Sequence, residues 1–82
     1  MKPHIWAQLK NLTVEELIHA LEKDGAIWDD SHGGVRVYKL KTGFKITIHY
    51  HPKKTYGPQL LSDFLDKIGW SEQDLKRLKL LK

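Results

Sequence analysis

Residues 44–50 alternate without a break. Phe44, Ile46, Ile48 and Tyr50 fall at one parity; Lys45, Thr47 and His49 fall at the other. That period of two belongs to a half-buried antiparallel strand. One strand cannot stand alone, so the chain must supply pairing partners and something to cover the apolar side. Val35 to Leu40 is the nearest partner. A two-residue loop, Thr42-Gly43, would turn Lys39 toward the core. A three-residue loop, Lys41-Thr42-Gly43, places the glycine where a type I turn with a bulge needs a left-handed residue. The second register keeps Lys39 in water, because burying an unpaired lysine is costly. It sets Val35 opposite His49, Val37 opposite Thr47 and Lys39 opposite Lys45 on the open side, with Tyr38 and Leu40 inward. A short strand, Ala26 to Trp28, precedes this hairpin, and Asp29 through Gly34 reads as a turn.

Helical periodicity brackets the strands. Val14, Leu17, Ile18 and Leu21 form one apolar stripe in a helix over Thr13 to Asp24. Thr13 and Glu16 are spaced as a capping box, Leu12 and Leu17 as a hydrophobic staple, and Gly25 stands in the stop position. Pro58 suits a first helical turn, Leu61, Phe64, Leu65 and Ile68 make a second stripe, and Gly69 ends it. Ser71 can cap a last helix, with Trp70 and Leu75 as its staple and Leu75, Leu78 and Leu81 as its apolar edge. Upstream, Ile5, Trp6, Leu9 and Leu12 fit either an extra helical turn or a packed arm. The expected fold is α+β in the order α-β-β-β-α-α. A three-stranded antiparallel sheet carries helices on one face and leaves the other face open. Residues 1–82 are expected to form a single domain, with 1–12 as an N-terminal arm and 71–82 as a C-terminal helix.

The chain has no cysteine, so disulfides and thiolate zinc sites are excluded. Its N-terminus has no long apolar stretch, which argues against a signal peptide or a membrane span and for the cytoplasm. Charge is unevenly spread. Residues 1–30 sum to −3, residues 31–62 to +6 and residues 63–82 to +1, and the middle stretch contains no acid. A basic centre of this kind attracts phosphates. The plain alternative is a strand face kept soluble by lysines.

Several strings, in order, resemble the HicA (YcfA-like) toxins of bacterial toxin–antitoxin pairs. They are Leu21-Glu22-Lys23-Asp24-Gly25, Gly33-Gly34-Val35-Arg36-Val37-Tyr38, Thr47-Ile48-His49-Tyr50-His51, Tyr56-Gly57-Pro58-Gln59-Leu60-Leu61 and Phe64-Leu65-Asp66-Lys67-Ile68-Gly69. The resemblance runs from Leu21 to Gly69 without large insertions. It implies a fold like the double-stranded-RNA-binding domain, RNA binding and cleavage, and a HicB-type antitoxin as partner. The family's catalytic residue is a histidine in a G-S-H-H string. This chain departs there: Gly33 and Gly34 match loosely, Val35 and Arg36 stand where the histidines belong, and Asp30 occupies the usual arginine position. A valine cannot transfer protons, so that role does not carry over.

His49 is the candidate replacement, since the hairpin register sets it across from Val35. Histidine titrates near neutrality and serves as acid or base in cleavage by 2′-hydroxyl attack. It also reads simply as a polar residue on an exposed strand. His49 and His51, with His32 in a turn, form an H-x-H arrangement, but no carboxylate in the basic run completes a metal site; no metal or cofactor is expected. Lys53 and Lys54 precede the helix start at Gly57-Pro58, where backbone N–H groups favour anions, and make a phosphate seat with Arg36, Lys39 and Lys45 as neighbours. A solvated loop is the alternative. Trp6, Trp28 and Trp70 read as core or edge packing. The sequence therefore predicts an RNA-binding, HicA-like endoribonuclease neutralised by a HicB-like antitoxin. The rival is a catalytically inactive RNA- or protein-binding module on the same scaffold.

Overall fold

The computed structural model describes residues 1–82. Its elements run α1 (Pro3–Leu9), α2 (Val14–Lys23), β1 (Ile27–His32), β2 (Val35–Lys39), β3 (Lys45–His49), α3 (Pro58–Ile68) and α4 (Glu72–Arg77). The class is α+β with a three-stranded antiparallel sheet in the order β1-β2-β3, as the periodicities predict. The elements gather into two units: Thr13–Lys54, and Met1–Leu12 with Thr55–Lys82.

In Thr13–Lys54 the first helix is held by the expected capping box. Thr13 Oγ1 accepts the Glu16 N–H at 3.2 Å, and Glu16 Oε1 accepts the Thr13 N–H at 3.0 Å. Val14, Leu17, Ile18 and Leu21 are buried. Gly25, at φ +97, lets the Ala26 N–H return to the Leu21 carbonyl at 2.9 Å. A β-branched or bulky residue there would strain that reversal.

The β2–β3 register is the predicted one: Val35 pairs with His49, Val37 with Thr47 and Lys39 with Lys45. The Leu40 N–H reaches the Phe44 carbonyl at 2.7 Å across the three-residue loop, with Gly43 at φ +96. Tyr38, Leu40, Ile46 and Ile48 are buried on the inner side. Two expectations change. Phe44 does not join that side; β3 begins at Lys45, and Phe44 is 74 % exposed at the strand's mouth. β1 is also longer than the three residues expected. Asp29, Asp30 and Ser31 disfavour strand on propensity, yet pairing with β2 carries them into it, and a bulge between Trp28 and Asp30 absorbs Asp29. The turn shrinks to Gly33-Gly34, at φ +57 and +78, which is the twist a two-residue hairpin requires.

In the other unit the N-terminal segment is a helix with Pro3 in its first turn, and Ile5 and Leu9 are buried. α3 buries Leu61, Leu65 and Ile68, but Phe64 only partly, against the expectation of a four-residue buried stripe. Phe64 stacks on Tyr56, ring centroids 5.6 Å apart, and burial pushes the Tyr56 phenol above its ordinary pKa. Ser71 and Asp74 form the capping box of α4. That helix stops at Arg77 instead of running to residue 82. Lys79 turns left-handed at φ +62, and the Leu80 N–H returns to the Leu75 carbonyl at 2.8 Å. Leu78 just before the reversal and Leu81 beyond it are both buried, and the Lys82 N–H donates to Gln8 Oε1 at 2.8 Å.

Candidate functional site

The chemistry-bearing residues of Thr13–Lys54 separate toward two ends of the sheet. Lys39 and Lys45 face each other beside the β2–β3 loop. Lys45 is not a free cation: its Nζ lies 2.9 Å from Asp29 Oδ2. Nearby in the chain, Lys41 Nζ bonds Asp24 Oδ1 at 3.0 Å. The bulge in β1 thus brings an acid to a face whose own stretch of sequence has none.

The opposite end holds His32, Val35, Arg36, His49 and the loop that follows. His49 is exposed and pairs directly with Val35, so the two share the open face. His32 pairs with Val35 from the other side. The Tyr50 N–H donates to the Gly34 carbonyl at 2.9 Å, which ties the end of β3 to the tight turn.

Arg36 lies on the other face from Lys39 and Lys45. It pairs with Ile48, shares the inner parity of Tyr38 and is half-buried. Its guanidinium sits between two aromatic rings, 4.0 Å from the Trp28 centroid and 3.6 Å from that of Tyr50. One edge donates from Nη1 to the Tyr38 hydroxyl at 3.2 Å. Tyr38 is fully buried, so its hydroxyl needs such a partner. The aromatic clamp was not legible beforehand, because Trp28 and Tyr50 approach Arg36 only across strands.

Lys53 and Lys54 lie on a loop fastened to the start of α2. The Lys54 N–H bonds the His51 carbonyl at 2.9 Å. The Pro52 and Lys54 carbonyls accept the Glu15 and Val14 N–H groups at 3.1 and 2.8 Å. With Glu16 held by Thr13, the first donors of α2 are satisfied by the protein itself, and this helix end offers no anion site. Both lysines are exposed and form no ion pair. No group of three or more histidine, aspartate or glutamate side chains is placed to hold a metal ion. No helix is long and apolar enough to cross a membrane.

The row His32–Val35–His49 went unseen in the sequence because Asp29 to Gly34 read as one turn. Gly33-Gly34 alone is a two-residue hairpin signal, and it would have placed His32 across from Val35.

A small α+β domain, with a three-stranded antiparallel sheet and a polar end built by one tight turn and one loop, is the class this fold and site define. The family described as the HicA toxin of bacterial toxin–antitoxin systems matches residues 14–70, and the chain belongs to that family. It is therefore a toxin-family protein, as the strings from Leu21 to Gly69 imply. No curated protein and no solved structure matches the chain.

Proposed function

We propose that this protein is an RNA-directed toxin whose proton-transfer residue is His49, neutralised by a HicB-type antitoxin that covers the same end of the sheet. One observation carries the reading: His49 is exposed and pairs directly with Val35, the position where the family's histidine is missing. An imidazole there reaches the space that histidine would have occupied, from the neighbouring strand. Lys53 and Lys54, free of acidic partners, supply phosphate contacts beside it, and Lys39 adds charge farther along the open face. Arg36 and Lys45 contribute less to RNA binding than their charges suggest, because one is clamped and the other ion-paired.

The test is a long RNA incubated with purified protein, without metal and then with it. His49→Ala is expected to slow cleavage about 10²–10⁴-fold, the contribution of one general acid or base, with RNA affinity nearly unchanged. A His49→Ala protein as fast as the parent refutes this role. A second reading is favoured by the aromatic clamp on Arg36: an inert RNA- or protein-binding module. An inert parent that gains cleavage with Val35→His would establish it.

A further inference from the structure

The row across the open face holds two histidines, not one. His32 and His49 each pair with Val35, from opposite sides, so all three side chains leave the sheet on the same face. Two strand spacings separate the histidine backbones by about 10 Å. Between them is only the short Val35 side chain. That gap suits one phosphate with an imidazole on either flank.

The two histidines differ in setting. His32 Nδ1 lies 3.5 Å from Asp30 Oδ2. The other oxygen of that carboxylate is pinned, accepting the Ser31 N–H at 2.8 Å. Asp30 therefore stands on the Nδ1 side of the His32 ring, and Nε2 is the ring nitrogen left for a ligand. His49 has no carboxylate partner.

We propose that His32 and His49 act as an acid–base pair on one RNA phosphodiester seated over Val35, with His49 the base, His32 the acid and Asp30 its positioning residue. This rests on the reading of His49 above and adds a second catalytic residue to it. His49 takes the proton of the 2′-hydroxyl as O2′ bonds to phosphorus. The P–O5′ bond breaks, its electron pair stays on O5′, and that oxygen takes the proton from His32 Nε2. The products are a 2′,3′-cyclic phosphate and a free 5′-hydroxyl. Water returns the proton from His49 and restores that of His32, so no metal or other co-reactant enters.

The experiment first maps the cut made by the parent in a long RNA. It then uses three short oligonucleotides spanning that position: all-RNA, one with a 2′-deoxy residue at the cut, and one with sulfur replacing the bridging 5′-oxygen. A thiolate leaves without protonation, so this last substrate needs no acid. The expected results are cyclic-phosphate ends without metal, no cleavage of the 2′-deoxy strand, and a loss of about 10²–10⁴-fold for both His32→Ala and His49→Ala on all-RNA. On the sulfur substrate His32→Ala recovers to near the parent rate, while His49→Ala stays slow. Both side chains are exposed, and unchanged thermal midpoints check that the variants fold. If His32→Ala matches the parent on all-RNA while His49→Ala is slow, the pair is wrong and the His49 reading survives. If His32→Ala is slow on both oxygen and sulfur substrates, its role as acid is wrong. A parent that cuts no RNA removes both proposals.

Discussion

Arg36 does two jobs at once: it fills the space between Trp28 and Tyr50, and it satisfies the Tyr38 hydroxyl. Removing it leaves a buried hydroxyl without a partner, which costs about 1–3 kcal/mol. Arg36→Ala is expected to lower unfolding free energy by that amount in a urea titration. Arg36→Lys should recover little, since an ammonium cannot stack flat between two rings. In a double-mutant cycle with Tyr38→Phe, part of the Arg36→Ala loss should vanish, because the stranded group is gone. Additive losses would show that the hydroxyl bond contributes nothing. Lys79 makes the opposite case. It holds a left-handed conformation that a glycine adopts without steric cost. Lys79→Gly is expected to stabilise the protein by roughly 1 kcal/mol, read as a higher denaturant midpoint at unchanged slope.

At the scale of elements, caps and loops decide more than propensity. The start of α2 depends on Thr13 and on the two loop carbonyls that accept from Val14 and Glu15. Thr13→Ala should cost about 1 kcal/mol. It should also raise hydrogen exchange at Glu16, while Val14 and Glu15 stay protected by the loop. Equal loss of protection at all three would mean that the loop does not hold the helix end. The box of α4 responds to pH. The Ser71 N–H and then the Arg77 guanidinium hold the Asp74 carboxyl below its ordinary pKa, and a hydrogen bond from His4 does the same for Glu72. A lowered folded pKa stabilises above the unfolded value and is lost as pH falls through the folded one. Fraying of α4 in acid, before the rest of its unit melts, is the expected NMR result. In α3, Phe64 is half-buried and stacked, so Phe64→Ala should cost less than the roughly 3–5 kcal/mol of a fully enclosed phenylalanine.

For the whole molecule, the charge pattern of the chain and that of the folded surface are different objects. Residues 31–62 contain no acid, but folding sets Asp29 against Lys45 and Asp24 against Lys41. Lys53→Ala with Lys54→Ala should therefore reduce the slope of log affinity for RNA against log salt by roughly two, one for each lost phosphate contact. Lys45→Ala should change it less. Equal slopes for all the variants would mean that ion pairing with Asp29 does not decide which cations meet RNA.

What the sequence determined by itself was whatever rests on neighbours along the chain. The capping box at Thr13, the Ser71 cap, the glycine stops, the helical stripes apart from Phe64 and the β2–β3 register all depend on residues a few positions apart, so their patterns are visible in order. The family resemblance was legible for the same reason, as short strings at steady spacing. Where local preference and pairing disagreed, at Asp29 to Ser31, the sequence misled, because β1 gains its strand from β2 and not from its own residues. Only the tertiary structure decided that Arg36 turns inward between Trp28 and Tyr50, that Asp29 closes on Lys45, and that His32 and His49 flank Val35. Each of these contacts joins residues from different strands, and a bulge of one residue in β1 sets which side chains share a face.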